Sequence, residues 1–344
     1  MEILDEILNF LHFTPDSSRV EITNSLKNPP SPATIKRILA DAINKNLISV
    51  KGKGRACKYS ITPKAHLLRT YDIEEYFKKE IDERTVQTSF NFDLLENLLP
   101  AIELFSTDEL SYLNKLQEKF LKNISNISAN VYNSEMERLG IDLSWKSSQI
   151  EGNTYSLLET ERLLKEKEEA KGKTKEEAIM LLNHKEALHF LIDNPDYLQS
   201  LSLPRIEDIH SILIKNLNVE LNIRRSRVGI TGTNYRPLDN DFQITEAMNL
   251  ACNLINTRKN VFEKALLAIL LLSYIQPFAD GNKRTSRIVS NALLIANKCC
   301  PLSFRSVDSL KYKEAVLIFY EQNNLSAFKK IFIEQYDFAV NTYF

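Results

Sequence analysis

Apolar residues among the first 45 positions recur every three or four residues, a spacing that predicts short amphipathic helices. The first helix is predicted over residues 2–13, and its apolar face consists of Ile3, Leu4, Ile7, Leu8 and Leu11. A second helix is predicted over residues 20–27, before two consecutive prolines. Ser31 and Pro32 are typical of an N-cap and a first helical position, so a third helix is expected to follow.

Two short strands are predicted at residues 47–50 and 57–61, on either side of a turn that carries Gly52 and Gly54. Three helices followed by two basic strands resemble a winged helix-turn-helix domain, in which the third helix enters the DNA major groove and the wing contacts phosphate. The DNA contacts that this resemblance implies are Lys36, Arg37, Lys51, Lys53, Arg55 and Lys58. The alternative is the same fold used for protein contacts or dimerisation, with these charges solvating its surface.

Further along, residues 261–275 are apolar on almost every side, which predicts a buried central helix. A second apolar helix is predicted over residues 288–297. The longest apolar run, residues 265–275, is too short to span a bilayer. The pattern therefore favours a mostly helical protein without a membrane partner.

The length of the chain and the distribution of its charges predict more than one domain. Its 344 residues suggest about two domains, and a net charge of −1 gives no chain-wide attraction to nucleic acid or anionic lipid. Residues 1–70 nevertheless carry 11 Lys and Arg against 6 Asp and Glu, whereas the remainder carries 33 against 39. This asymmetry predicts a small basic module followed by a larger, mildly acidic body, with a boundary near residues 70–90.

The cysteines and the first residues of the chain indicate the cellular compartment to expect. The chain begins with acidic residues where a signal peptide needs basic ones. The cysteines Cys57, Cys252, Cys299 and Cys300 show no metal-ligand spacing, and an adjacent pair is a poor disulfide framework. We therefore expect a soluble, cytoplasmic protein.

The segment between the two apolar helices, residues 276–287, carries the chemistry. A glycine-containing turn that opens a helix leaves backbone N–H groups free to attract phosphate. Asp280 offers a hard oxygen ligand for Mg²⁺, and Arg284 and Arg287 lie three residues apart, on one helical face, where they can bind phosphate oxygens. These residues predict a site for a metal and a polyphosphate.

The same segment resembles the signature of the Fic (Fido) family, H-P-F-x-[DE]-G-N-[GK]-R-x-x-R. The identities that match are Pro277, Phe278, Asp280, Gly281, Asn282, Arg284 and Arg287. Residues 147–152 are similar to the family's inhibitory motif, and residues 227–237 look like its β-hairpin flap. The resemblance implies a helical Fic domain at 95–344, which follows a winged-helix domain at 1–70 and a helical linker at 71–94. Such a domain transfers AMP from ATP to a protein hydroxyl.

The resemblance also implies roles for individual residues. Asp280 would hold Mg²⁺, and the flap would hold target backbone by β-augmentation through Val228, Gly229, Ile230, Thr231, Gly232 and Thr233. The implied nucleotide-binding residues are Gly281, Asn282, Lys283, Arg284, Thr285, Ser286, Arg287 and Tyr312. Glu151 would pair with Arg287 and inhibit, although an ordinary acid on a helix surface is the alternative. Tyr312 could equally be a buried core residue.

The first signature position departs from the family, because Gln276 stands where the family has its general-base His. An amide has no pKa near 7, and losing a general base typically costs about 10²–10⁴-fold in rate. His184, His189 and His210 could approach in space, but a structural role is favoured for each. Gln276 is natural and silences transfer, or is an introduced substitution, or serves a different reaction in which Glu151 helps water remove AMP.

The sequence therefore predicts an ATP- and Mg²⁺-dependent protein adenylyltransferase scaffold, inhibited by Glu151 and impaired at Gln276. Its expected partners are ATP, a target protein and DNA, and a homodimer remains open. The alternative is a non-enzymatic, nucleotide-binding transcriptional regulator. In a third version the winged helix only recruits the protein target.

Overall fold

The computed structural model describes residues 3–344, except for the side chain of Arg55. Its helices are α1 (Ile3–Phe13), α2 (Arg19–Ser25), α3 (Pro32–Asn44), α4 (Pro63–Leu68), α5 (Ile73–Phe77), α6 (Thr107–Ser125), α7 (Ala129–Ile150), α8 (Leu157–Glu166), α9 (Lys175–Asp193), α10 (Leu203–Ile214), α11 (Asp241–Thr257), α12 (Val261–Ile275), α13 (Asn282–Ala296), α14 (Ser309–Gln322) and α15 (Ser326–Tyr343). Its strands are β1 (Ile48–Lys51) and β2 (Lys58–Ile61). The mostly helical fold that the sequence predicts is confirmed.

The N-terminal elements lie within three residues of their predicted positions, apart from Glu2, which is outside the described residues. Ser31 caps α3 as predicted, because its side chain accepts a hydrogen bond from the backbone N–H of Thr34 at 3.2 Å. The two strands pair antiparallel, with Ile48 opposite Ile61 and Lys51 opposite Lys58. The helices and the sheet enclose a small core that includes Ile7, Leu11, Ile22, Ile35 and Ala42.

The N-terminal elements dock on the loop between α14 and α15. The backbone N–H of Leu325 donates to the carbonyl of Leu67 at 2.9 Å, and the Asn324 side chain donates to the carbonyls of His66 and Arg69 at 3.1 and 3.0 Å. Leu67 is fully buried and already belongs to the core of the larger part. The two parts are therefore joined by buried hydrogen bonds as well as by the chain.

Helix α12 is the centre of the larger part, as its apolar sequence predicts. Every residue from Ala265 to Ile275 is buried, and α12 packs along α13, from which it is separated by the turn at residues 276–281. Burial on all sides fixes α12 tightly, because cavities and steric overlap are both costly in a close-packed interior. The turn that follows it is consequently held at a defined place.

The flap region differs from the sequence expectation of a β-hairpin. Both strands of the described chain belong to the N-terminal part, and residues 227–237 form an irregular loop with a turn at Thr231 and Gly232. Arg236 instead makes an isolated parallel bridge with Ser89, from the segment that joins the two parts. The two arms of the flap do not pair with each other, and the backbone N–H of Arg236 donates outside the flap.

Across residues 3–344, no helix combines the length and the apolar character that crossing a bilayer requires.

Candidate active site

The turn between α12 and α13 is shaped by two residues with left-handed backbone conformations. Gln276 has φ 52° and ends α12, and Gly281 has φ 80° and precedes α13. A Cβ at Gly281 would lie 3.3 Å from the Ile214 side chain, in a conformation that favours glycine. Asn282 closes the turn, because its side chain accepts from the N–H of Phe278 and donates to the carbonyl of the same residue, both at 2.8 Å.

The N-terminus of α13 has no side-chain cap, since Gly281 occupies the N-cap position. Backbone N–H groups in the first turn of a helix lack partners within the helix, and the helix dipole adds positive potential there. The start of this 15-residue helix is thus suited to an anion.

His210 supports the turn from α10. Its ring stacks on Phe278 with centroids 3.7 Å apart, and its Nε2 lies 2.9 Å from the Asp280 carbonyl oxygen. Burial lowers the pKa of the imidazole, which favours the neutral ring. His210 therefore has the structural role favoured from the sequence.

Glu151 lies at the end of α7 and contacts two cations of α13. Its carboxylate accepts from Arg287 Nη2 at 2.9 Å and from Lys283 Nζ at 3.3 Å. Burial raises the pKa of the Glu151 carboxyl, but the charges of Arg287 and Lys283 outweigh it and hold the pKa below its ordinary value. The ion pair that the sequence predicts between Glu151 and Arg287 is present, and Lys283 is a second partner that the sequence did not reveal.

Arg287 is fully buried and held by α7 as well. Its Nε donates to Ser147 Oγ at 2.8 Å, and its Nη2 donates to the Ser147 carbonyl at 2.9 Å. Ser147 Oγ in turn lies 2.8 Å from His184 Nε2, and burial together with the arginine charges keeps the pKa of His184 well below 6.5. The lowered pKa favours the neutral ring of His184, which shares a hydrogen bond with the Ser147 hydroxyl. Sequence reasoning assigned Ser147 to the inhibitory motif but missed this bond to Arg287.

Gln276 is held by its own neighbours. Its Nε2 donates to the Ser273 carbonyl at 2.6 Å, and its Oε1 accepts from Asn282 Nδ2 at 3.0 Å. Both polar ends of the amide are thus satisfied, and the side chain is only 8% exposed. Among the described residues, no histidine lines the cavity next to Gln276. His189 instead lines a different pocket, between α7 and α9.

A cavity of about 750 Å³ opens over these residues. Its lining includes Glu151, Gln276, Lys283 and Tyr312 together with residues 229–232 of the flap, but neither Asp280 nor Arg287. Tyr312 is buried, and its hydroxyl accepts from Arg287 at 3.3 Å, so this residue belongs both to the core and to the cavity wall. A volume of this size is typical of small-molecule sites.

Some predicted residues lie away from that cavity. Thr285 and Ser286 are fully buried, and Ser286 donates to the Lys283 carbonyl at 2.8 Å within α13. Of the predicted flap residues, Val228 and Thr233 are not part of the cavity lining. Arg284 is buried beneath the turn and donates to the Asp280 carboxylate at 3.0 Å.

Asp280 suits Mg²⁺ by the chemistry of its donor. Its carboxylate is 65% exposed beside the N-terminus of α13, and no group of three or more potential metal ligands exists among residues 3–344. Mg²⁺ commonly binds through one or two carboxylates together with substrate phosphates and water. A single exposed carboxylate next to an anion site therefore fits this ion only together with a phosphate ligand.

The predicted DNA-binding residues lie on the N-terminal part. Lys36, Arg37, Lys51, Lys53 and Lys58 are exposed, and Lys58 lies 3.3 Å from the Glu21 carboxylate. The side chain of Arg55 is outside the described part of the chain. The five described residues do not line the cavity.

Comparison with known proteins finds similarity over the segment that contains the motif of residues 276–287. Residues 200–294 match the Fic/DOC family model, a range that includes the turn and all but the last two residues of α13. The Protein adenylyltransferase Fic of Nematostella vectensis is 29% identical over 178 residues, which are 49% of this chain and 41% of that protein. A protein of the same name from Aedes aegypti is 29% identical over 178 residues, 49% of this chain and 34% of its own length.

Solved structures extend the likeness in fold. Fic-1 from C. elegans superposes with a TM-score of 0.60 at 17% identity, over 68% of this chain and 71% of that one. A Fic domain containing signaling protein from Bacteroides thetaiotaomicron gives 0.57 at 18% identity, over 67% of this chain and 94% of that one. Residues 200–294 therefore match the Fic/DOC family model, and the fold resembles that of solved Fic structures. The chain matches less than half the length of those two curated relatives.

Proposed function

We propose that this protein is a Fic-type protein adenylyltransferase scaffold that binds ATP with Mg²⁺, is inhibited by Glu151 and is impaired in transfer by Gln276. The observation that carries the proposal is the contact of Glu151, which lines the cavity, with Lys283 in the same lining and with the buried Arg287. The names of the relatives, protein adenylyltransferases, support the reaction class.

The start of α13 would bind the phosphates. Its uncapped backbone N–H groups and the cations Lys283 and Arg287 would attract them. Lys283 lines the cavity, Arg287 is fully buried, and Glu151 pairs with both. Asp280 would hold Mg²⁺, which offsets phosphate charge when bound. Thr285 and Ser286 would contribute through helix packing rather than through their hydroxyls, since both are buried. Tyr312, on the cavity wall, would contact the base or sugar.

In the transfer step, the oxygen of a target hydroxyl bonds to the α-phosphorus of ATP, and the bond from that phosphorus to the bridging oxygen breaks, releasing pyrophosphate. The hydroxyl proton needs an acceptor. The side-chain oxygen of Gln276, Oε1, can orient the hydroxyl by accepting a hydrogen bond, but it cannot take the proton near pH 7. Because no histidine lines the described cavity, transfer by this chain would be slow.

The Glu151→Gly substitution is expected to tighten the binding of ATP–Mg²⁺ by roughly 10–100-fold. The reason is that a carboxylate and a phosphate compete for the same guanidinium, and charge-assisted bonds are worth about 1.5–3 kcal/mol. Calorimetric titration measures the change. The matched control is Glu161→Gly, at a partly exposed acid on α8 that pairs with Lys165 and does not line the cavity. Equal affinities for wild type and Glu151→Gly would contradict the inhibitory role.

A second candidate, a non-enzymatic DNA-binding regulator, is favoured by the exposed basic residues of α3 and the wing. We infer that the N-terminal part contacts DNA phosphate. The version in which it recruits a protein target instead is the competing outcome.

Changing both Lys51 and Lys53 to alanine is expected to weaken duplex DNA binding at all sequences. Because each phosphate contact contributes about 0.9 to the slope of log affinity against log salt, the slope should fall by about 2. Fluorescence anisotropy over a salt series measures it, with the exposed Lys171→Ala as control. If wild type binds no DNA even at low salt, recruitment of a protein replaces this candidate.

A further inference from the structure

Residues 76–89, which we call the strap, connect α5 to the Fic-like part and pass along the flap. Three hydrogen bonds join them: Arg84 Nη2 to the Gly232 carbonyl at 2.8 Å, Asn234 Nδ2 to Asp82 Oδ1 at 3.0 Å, and the Arg236 N–H to the Thr88 carbonyl at 2.9 Å. The flap partners are every second residue from 232 to 236. The second arm of the flap is therefore already engaged along its length by this chain.

Arg84 anchors the strap. It is only 8% exposed, and its guanidinium lies 3.3 Å from the carboxylate of Glu321, which is also buried. The same guanidinium lies 5.1 Å from the ring centroid of Phe77, and the Glu321 carboxylate accepts from the Tyr76 hydroxyl at 2.5 Å. A buried charge pair with these additional contacts holds Arg84 in one position.

The anchor lies next to the docking site of the N-terminal part. Glu321 directly precedes residues 322–325, and in that loop Asn324 and Leu325 bond to the carbonyls of residues 66–69. A continuous series of contacts therefore runs from the N-terminal part through Glu321 and Arg84 to Gly232. Phe77, Ile81 and Arg84 of the strap also line the cavity.

We propose that the strap is a built-in occupant of the flap: residues 82–88 hold residues 232–236 in place while the N-terminal part is docked. A protein segment that pairs with this arm must displace them. The flap thus takes a polypeptide partner from outside only after the strap has moved, and the N-terminal part determines whether it moves. The proposal does not depend on any transfer chemistry.

Hydrogen–deuterium exchange of the full chain without nucleotide tests this contact. In the double variant Arg84→Met, Glu321→Gln, which leaves no unpaired buried charge, exchange in residues 228–236 is expected to rise by about tenfold, while α12 keeps its protection. Lys78→Ala, at an exposed strap residue that pairs with Glu75 and not with the flap, is the matched control, with flap exchange close to that of wild type.

Asp82→Ala provides a second test at an exposed side chain. Removing its bond to Asn234 should raise flap exchange by roughly 2–5-fold, about what one ordinary hydrogen bond supplies. Unchanged flap exchange in the double variant, with α12 still protected, would overturn the proposal. If α12 lost protection in the double variant, that variant would be misfolded and Asp82→Ala would be the test. Unchanged flap exchange in Asp82→Ala would then overturn the proposal.

Discussion

The substitution Gln276→His in a Glu151→Gly background is expected to raise AMP transfer by about 10²–10⁴-fold over Glu151→Gly alone. The added imidazole can take the proton from an attacking hydroxyl, which the amide cannot. Label transferred from ATP to the protein itself reports the reaction, so no target need be known. The rate should rise with pH through the imidazole pKa, because only the neutral ring accepts a proton.

The backbone at this position suits the replacement. Gln276 has φ 52°, and among residues with side chains, histidine, asparagine and aspartate are the ones enriched in the left-handed region. Histidine can also keep a hydrogen bond to the Asn282 amide or the Ser273 carbonyl, the two present partners of Gln276. We therefore expect the turn to keep its geometry in the variant.

Two controls separate base catalysis from other causes. Gln276→Asn, in the same background, retains an amide and should leave transfer at the low level. Adding Asp280→Ala to the active variant should abolish the Mg²⁺-dependent signal, since the exposed carboxylate is the proposed ligand. Equal labelling with and without Gln276→His would show that another group serves as the general base. If neither variant were labelled, the proposed function would be reduced to nucleotide binding without transfer.

Local patterns predicted the helices well because their information is local. The apolar period of residues 3–13, the Ser31 cap and the uniformly apolar α12 each lie within one element. The pair of Glu151 and Arg287 is different, because its residues are 136 positions apart. It could be predicted only from the resemblance of two separate motifs to one family, and no periodicity in the sequence shows it.

The contacts that sequence reasoning missed join segments without a shared motif. Arg84 and Gly232 are 148 positions apart, and neither belongs to a periodic pattern that points to the other. The prediction of a paired hairpin at residues 227–237 was wrong for the same reason. The backbone N–H of Arg236 donates to the Thr88 carbonyl, and not to a residue of its own loop. Backbone hydrogen bonds can be made with any segment that lies close, so tertiary packing decides the partner.

Arg287→Met is expected to lower the free energy of unfolding by about 3 kcal/mol, as is typical when one partner of a buried ion pair is removed. The change leaves Glu151 with Lys283 alone and takes a donor from both Ser147 Oγ and the Ser147 carbonyl. Urea unfolding measures it through the fluorescence of Trp145, the one tryptophan of the chain, which lies on α7 two residues before Ser147.

Adding Glu151→Gln to Arg287→Met should recover roughly 1 kcal/mol or more, because a neutral amide needs no counter-charge. Arg162→Met is the matched control: its guanidinium also contacts a carboxylate, that of Glu166 at 3.4 Å, but the two side chains are 62% and 60% exposed, so its loss should cost about 1 kcal/mol or less. Equal costs at Arg287 and Arg162 would mean that the contacts of Arg287 contribute little to folding. Phosphate binding would then be the role of the Arg287 guanidinium. In that case the Arg287→Met variant should no longer bind ATP, and it should unfold at the same urea concentration as wild type.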